Sequence, residues 1–197
     1  MKTKSKSCCM ETASPFLISL IKGINRFSDW TGRFVSWFVL AIVLITFVVV
    51  VMRYVFNTGS VFMQESVLYF HNYVIMLGAA YALLKGAHVR VDIFYRPMSE
   101  KKKALVDLFG FLFLLLPTCL FIFYIAWDYV SASWAIMEGS QEAGGVDARY
   151  IFKTSILLMP ALVIIQGIAE SLRALLTLTG HQDLAKQLED HDEEHAL

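Results

Sequence analysis

Residues 64–92, QESVLYFHNYVIMLGAAYALLKGAHVRVD, decide how this chain folds. After the acidic Glu65, residues 66–84 are 19 residues without a charged group, and the polar segment 85–92 follows. As an α-helix, such a run covers roughly 28 Å, close to the bilayer's hydrocarbon thickness of about 30 Å. Its apolar residues do not alternate, which excludes a strand of a membrane barrel. The stretch therefore predicts a transmembrane helix with charged groups at both ends.

Small residues line one side of this predicted helix. Gly78, Ala82 and Gly86 are spaced four residues apart, a pattern that lets a second membrane helix approach closely. Glycine and alanine are also common in membrane helices generally, and that alternative stays open. His71, in the same helix, has no second histidine within the predicted spans. We therefore expect it to contribute to packing rather than to bind a ligand.

Three further apolar runs place the whole chain among helical membrane proteins. Of its 197 residues, 57% are hydrophobic, and apolarity concentrated in long runs is typical of that class. We expect an all-α membrane protein in which residues 34–178 form a domain of four transmembrane helices. The predicted spans are residues 34–53, 65–85, 105–130 and 150–173. Pro117 interrupts the third span, because it leaves the carbonyl of Phe113 without its usual donor.

The residues outside the spans are more polar. Residues 1–13 form a tail that we expect to be disordered, and residues 179–197 form an acidic, solvated cytoplasmic tail. Residues 14–33 predict an amphipathic helix, because apolar side chains recur at spacings of three and four. These side chains are Phe16, Leu20, Ile24, Phe27 and Trp30. We interpret this helix as an arm lying in the membrane interface; a simple helical extension of the first span is the alternative.

Basic residues predict the orientation of the chain. Of its 17 Lys and Arg, six precede Phe34 and six lie between Lys85 and Lys103, whereas the first outer loop contains Arg53 alone. The positive-inside rule then places both termini and the middle loop in the cytoplasm. The three cysteines follow no disulfide-like spacing, so we expect reduced thiols.

Charged residues are absent from the centres of the four predicted spans. A protein that moves its own substrate needs polar or ionisable groups near the bilayer midplane, so this pattern does not indicate an ion pathway. Arg53 and Glu65 lie twelve residues apart across one outer hairpin. A salt bridge between them is reasonable, and separate contacts with lipid headgroups are the alternative. His88 and Asp92 supply two metal ligands at most, which is weak evidence for a metal site, and none is predicted. No cofactor, catalytic or nucleic-acid site is predicted from the sequence either.

Four short motifs point to a known family. They are RYVFN at residues 53–57, QE at 64–65, GAAYALLKGAHVRVD at 78–92, and Pro160 within the fourth span. Over about residues 30–179, the chain resembles the small membrane subunit of tripartite ATP-independent periplasmic (TRAP) transporters, the Q-type or DctQ-like family. The most specific part of the resemblance is the G-x-H-V-R-V-D segment, which contains His88, Arg90 and Asp92.

This resemblance implies a multi-pass subunit of the bacterial inner membrane, and not an enzyme. Its expected partners are a large (M-type) permease subunit, a periplasmic substrate-binding protein and membrane lipids. In this family the large subunit carries the substrate and sodium sites. The small subunit braces it for sodium-driven, binding-protein-dependent uptake of a carboxylate. The resemblance makes the following residues partner or structural contacts: Arg53, Glu65, Gly78, Ala82, Gly86, His88, Arg90 and Asp92.

Two other classes of protein stay open from the residues alone. A haem-binding membrane anchor of an oxidoreductase needs histidines that face each other from membrane helices, yet only His71 lies within a span. A visible absorption spectrum of the purified protein would decide this alternative. A stand-alone four-span exporter needs an acid at the midplane and would carry substrate across vesicles by itself. The TRAP resemblance instead predicts no flux from this chain alone.

Overall fold

Four long helices make up most of the structure, a computed structural model that describes residues 15–87 and 97–181 together with residues 184 and 188. They are α1 (Pro15–Tyr54), α2 (Val61–Leu84), α3 (Glu100–Ala135) and α4 (Arg149–Leu178). All four are long and apolar enough to cross a membrane, and the described residues contain no strand. The predicted all-α fold with four membrane helices is confirmed. The tail at residues 1–13, the segment 88–96 and most of the acidic tail lie outside the described residues.

Helix α1 runs without a break through the predicted arm and the first predicted span. Its 40 residues measure about 60 Å, roughly twice the thickness of a bilayer's hydrocarbon core. The backbone is therefore that of a helical extension, the alternative considered from the sequence. Where the N-terminal half of α1 lies relative to a membrane stays a prediction.

The helix ends follow from local chemistry. Ser60 caps the start of α2: its hydroxyl accepts a hydrogen bond from the Met63 amide at 3.4 Å. Gly86 ends the same helix with a φ of +62°, and the amide of Ala87 returns to the carbonyl of Ala82 at 2.9 Å. This left-handed glycine cap is the common way to satisfy the last carbonyls of a helix. Gly180, with a φ of +95°, closes α4 in the same way.

Helix α3 contains one turn of π-helix at Phe111–Leu115, between the segments Glu100–Gly110 and Leu116–Ala135. The turn stands directly before Pro117, where the sequence predicts an interrupted hydrogen-bond ladder. Gly167 of α4 packs against this turn. A Cβ at Gly167 would overlap the ring of Phe111, so the glycine permits the close contact between α3 and α4.

The contacts divide the chain into two compact units. The terminal unit contains Met1–Asp29, Ala82–Cys119 and Val163–Leu197, and the hairpin unit contains Trp30–Tyr81 and Leu120–Leu162. In the terminal unit, an apolar cluster joins the start of α1 to the end of α4: Ile21, Leu176, Leu184 and Leu188, with Ile18 and Leu172 packed beside them.

Two leucines correct the prediction that the acidic tail is solvated. Leu184 and Leu188 are only 7% and 4% exposed, so the prediction is wrong at these two positions. Ile21 and Leu176 supply the apolar surface against which Leu184 and Leu188 pack. The remaining tail residues, which carry the acidic run, lie outside the described part of the chain.

In the hairpin unit, α1 and α2 meet at a glycine. Gly32 faces Tyr81, and a Cβ at Gly32 would overlap the tyrosine ring. Large apolar side chains of this unit point outward, among them Phe47, Phe121 and Tyr124, which are 66%, 64% and 81% exposed. Outward-facing apolar surface on such helices is what a lipid environment requires.

Candidate functional site

Glu65, near the start of α2, holds the connection between α3 and α4. One carboxylate oxygen accepts a hydrogen bond from the Ser140 hydroxyl at 2.6 Å, and the other accepts one from the Val146 amide at 2.6 Å. Gly145 leaves the space for this contact, since a Cβ there would overlap both Glu65 and Ser140. One side chain of α2 thus fixes the loop at residues 140–146.

Further polar side chains continue this attachment along α2. The Tyr69 hydroxyl donates to the carbonyl of Val146 at 3.3 Å, and the Tyr73 hydroxyl donates to that of Ile151 at 2.8 Å. Asn72 donates to the Ser155 hydroxyl at 2.6 Å. Residues 65, 69, 72 and 73 lie on one side of a helix, so together they tie α2 to the start of α4. Sequence reasoning missed all but Glu65, although polar residues at helical spacing in an apolar run are a usable signal.

A second polar cluster joins the end of α3 to α4. Glu138 accepts hydrogen bonds from the Ser133 hydroxyl at 2.7 Å and from the Lys153 ammonium group, with which it also forms an ion pair. The Lys153 nitrogen lies 4.1 Å from the centre of the Tyr129 ring, within cation–π range. These contacts hold the lysine at the start of α4 against the end of α3.

Protonation of Glu138 should weaken this cluster. The hydrogen bond from Lys153, followed by that from Ser133, holds the pKa of Glu138 below its ordinary value of 4.5. A lowered pKa stabilises the folded state above the ordinary value, and this contribution is lost as pH falls through the folded pKa. We therefore expect Glu138→Gln to melt below the wild type at pH 7, with the difference shrinking below about pH 4.5. The check is the apparent melting temperature of both proteins across this range in detergent.

Glu142 provides a matched control for that experiment. It is an exposed glutamate in the same connection, and its backbone amide, rather than its carboxylate, donates a hydrogen bond to Ser140. Glu142→Gln removes the same charge, and its apparent melting temperature should equal that of the wild type at every pH. An equal effect of the two substitutions would contradict the role given to Glu138.

The predicted salt bridge between Arg53 and Glu65 is not formed in the structure. Arg53 is exposed at the end of α1, and none of the ion pairs among the described residues includes it. The oxygens of Glu65 are instead taken by Ser140 and Val146. A loop from a distant part of the chain therefore replaces the neighbour across the hairpin as the partner of Glu65.

A buried amide network holds the N-terminal half of α1 against α4 in the terminal unit. The Ser28 hydroxyl donates to the side-chain oxygen of Gln166 at 2.7 Å, and the Gln166 nitrogen donates to Asn25 at 3.1 Å. All three side chains are at most 3% exposed. The Gln166 nitrogen also lies 3.4 Å from Glu170, which pairs with Arg173 at 3.3 Å. The pairing of Glu170 with its neighbour three residues on extends the network to the end of α4.

An ion pair attaches the same part of α1 to the end of α2. The Lys85 nitrogen lies 3.7 Å from a carboxylate oxygen of Asp29, and both side chains are about one-fifth exposed. Lys85 begins the polar segment 85–92 that the sequence singles out. Its observed partner is a residue of the predicted arm, which sequence reasoning did not anticipate.

The predicted small-residue ridge is open within this chain. A Cβ at Gly78 or at Gly86 would have no atom within 4 Å, and Ala82 is half-buried. The close helix contact expected at Gly78 is therefore not made to another helix of this chain in the described structure. His88, Arg90 and Asp92 lie outside the described residues, and their role as contacts stays a prediction.

Together these contacts brace helices rather than form a reaction centre. The carboxylates and amides described above are occupied by hydroxyls, amides and cations of the chain itself. Within the described residues, no group of three histidine, cysteine or acidic side chains could hold a metal ion. The fold and these clusters define a multi-pass helical membrane protein whose polar side chains join its helices.

Comparison with known proteins identifies the family. Residues 42–177 match the DctQ component of tripartite ATP-independent periplasmic transporters. The chain therefore belongs to the DctQ family, the small permease subunits of TRAP transporters, and is a multi-pass protein of the inner membrane. This confirms the resemblance read from the motifs. Family membership implies a transporter subunit, rather than the oxidoreductase anchor or stand-alone exporter considered above.

One relative illustrates the similarity. The chain is 28% identical over 71 residues to the C4-dicarboxylate TRAP transporter small permease protein DctQ of Vibrio cholerae serotype O1 (strain ATCC 39315 / El Tor Inaba N16961). The matched region covers 36% of this chain and 31% of that protein's length. No solved structure matches the chain significantly.

Proposed function

We propose that this chain braces a large permease subunit for sodium-driven, binding-protein-dependent uptake of a carboxylate and does not itself bind the solute. The observation that carries the proposal is that polar side chains of this chain bond to other residues of the same chain. Glu65 and Gln166 are occupied by partners in the chain, and Lys153 is occupied by Glu138. Such contacts make a rigid helical support. The carboxylate class follows from family membership and from the name of the relative, a C4-dicarboxylate transporter subunit.

Gly78 and Ala82 are the proposed contact with the large subunit. They lie on the same side of α2 as the exposed residues Leu68, His71 and Ile75, and Gly78 has open space beside it. In lipid, helices associate through close packing of small residues, because burial of apolar surface no longer drives them together. A helix of the large subunit would supply the packing that this chain does not.

The periplasmic substrate-binding protein is the proposed second partner. The connection at residues 136–148 exposes Ile136 and Met137, which are 73% and 62% exposed, while Glu65 and Glu138 hold the connection in place. A fixed loop with exposed apolar side chains suits a transient protein contact. This assignment places the loop outside the inner membrane and both termini in the cytoplasm, as the basic residues predict.

Larger side chains at Gly78 and Ala82 test the proposed contact with the large subunit. We expect the Gly78→Leu, Ala82→Leu variant to melt like the wild type as an isolated chain, because the space beside Gly78 is open. The same variant should lose co-purification with the large subunit, and sodium-dependent uptake in vesicles should fall in proportion. Uptake normalised to intact complex should keep its apparent substrate affinity.

The control is Gly110→Leu, which makes the same change as Gly78→Leu at another helical glycine with open space beside it. It should preserve both assembly and uptake. Wild-type assembly of the double variant would contradict the proposed contact. Solute flux through vesicles that contain this chain alone, or a changed substrate affinity in fully assembled complex, would contradict the bracing function itself.

A further inference from the structure

The N-terminal half of α1 turns its apolar side outward. Asn25 and Ser28 are buried at 2% and 3% exposure because they bond to Gln166. On the opposite side, Phe16 is 72% exposed and Phe27 is 46% exposed. A helix on a protein surface in water shows the reverse arrangement. The hydrogen bonds to α4 therefore fix this part of α1 with its apolar side facing away from α4.

This outward side carries a shallow apolar groove. The groove has a volume of about 380 Å³ and is lined by residues of α1 alone: Phe16, Ser19, Leu20, Gly23, Ile24 and Phe27. Gly23 contributes no side chain, and a Cβ there would meet nothing within 4 Å. The groove is therefore a gap at Gly23 beside a row of apolar side chains, a surface that suits a flexible hydrocarbon chain.

Two cations, Lys22 and Arg26, are the sequence neighbours of the groove residues Gly23 and Phe27. Lys22 and Arg26 are exposed and one helical turn apart, so they point to the same side of α1. The only acidic residue of α1 is Asp29, and it pairs with Lys85. No carboxylate of α1 is thus left to balance Lys22 and Arg26.

We propose that residues 16–27 bind an anionic phospholipid, with one acyl chain along the groove and the phosphate between Lys22 and Arg26. The pairing of an apolar groove with two cations selects a ligand that is apolar at one end and negative at the other. A zwitterionic lipid offers the same chains, but its headgroup brings a positive charge towards the two cations. The proposal concerns the membrane around this chain and is independent of the solute and of the large subunit.

Lipid titration monitored by native mass spectrometry tests the proposal. Full-length protein in detergent is mixed with phosphatidylglycerol or with phosphatidylcholine of the same acyl chains. We expect tighter binding of phosphatidylglycerol, by about fivefold for each basic residue that contacts the headgroup. Raising the salt concentration should narrow the preference, since exposed charges are screened. Glycerol phosphate, which has the charge but no acyl chains, should not compete.

Substitutions separate the two halves of the site. Lys22→Gln with Arg26→Gln should abolish the preference for phosphatidylglycerol. The control, Lys101→Gln with Lys102→Gln, removes the same charge from two exposed lysines at the start of α3 and should preserve it. Gly23→Leu fills the groove without a charge change and should weaken binding of both lipids.

Several outcomes would overturn the proposal. They are equal binding of the two lipids by the wild type, loss of preference in the Lys101, Lys102 control, and competition by glycerol phosphate. A photo-crosslinking residue in place of Leu20, introduced into the assembled transporter in its native membrane, gives an independent check. Lipid adducts are expected there, and a dominant adduct with another protein chain would show that a protein covers the groove.

Discussion

Gly32→Ala is expected to lower the apparent melting temperature of the purified chain more than alanine at any other helical glycine. The new Cβ would lie 2.9 Å from the Cβ of Tyr81 and closer still to its ring. Because the Cβ of Tyr81 is attached to its backbone, no rotamer change can move it away, and α1 and α2 must separate. Overpacking of this kind typically costs about 1–3 kcal/mol in the free energy of unfolding. Intrinsic fluorescence during heating in detergent measures the effect.

Two other glycines give a graded comparison. Gly167→Ala should destabilise less, because the atoms it meets are at the far end of the Phe111 ring, which can turn aside. Gly23→Ala lies in the same helix as Gly32 but meets nothing within 4 Å, so it should melt with or slightly above the wild type. If Gly32→Ala were as stable as Gly23→Ala, the close contact between Gly32 and Tyr81 would not exist.

Gln166→Leu is expected to produce the second large loss of stability. Gln166 is fully buried, and leucine removes the hydrogen bonds that Gln166 makes to Asn25 and Ser28 in the terminal unit. A buried polar group that loses its hydrogen bond typically costs about 1–3 kcal/mol. The variant should melt earlier in detergent, and proteolysis should cut within the N-terminal half of α1 first, because that segment is released from α4.

A second substitution makes this prediction specific. Removing the hydroxyl as well, in Ser28→Ala with Gln166→Leu, leaves fewer buried groups unsatisfied and should restore part of the lost stability. The measured coupling between the two positions should therefore be clearly non-additive. Additive effects of the two single substitutions would mean that Ser28 and Gln166 do not interact.

The membrane helices could be predicted because each is an uninterrupted apolar run. Helix α1 ends at Tyr54, one residue beyond the predicted first span. The predicted span 105–130 stops short of both ends of α3, which runs from Glu100 to Ala135. Helices continue past the predicted span because helix formation needs backbone hydrogen bonds, whereas a span needs apolar side chains. Hydropathy therefore locates the part of a helix in lipid, and not its ends.

The partners of the polar residues could not be predicted. Ser28 and Gln166 are 138 positions apart, and nothing in either neighbourhood specifies the other. Arg53 and Glu65 are close in sequence and opposite in charge, yet Ser140 and Val146 occupy the glutamate. For the arm, periodicity predicted two unlike sides but not which side faces the protein. In lipid the apolar side can face outward, so the usual inference from water-soluble helices does not apply.

The bond between Ser28 and Gln166 has a consequence for the order in which the protein can be made. Ser28 leaves the ribosome 138 residues before Gln166, so the start of α1 lacks its Gln166 hydrogen bonds throughout the synthesis and insertion of α2 and α3. Only when α4 has entered the membrane can Gln166 bond to Asn25 and Ser28 and the terminal unit close. A chain that stalls before the last helix would lack the Gln166 hydrogen bonds that close the terminal unit, a defect that a membrane protease or chaperone can recognise.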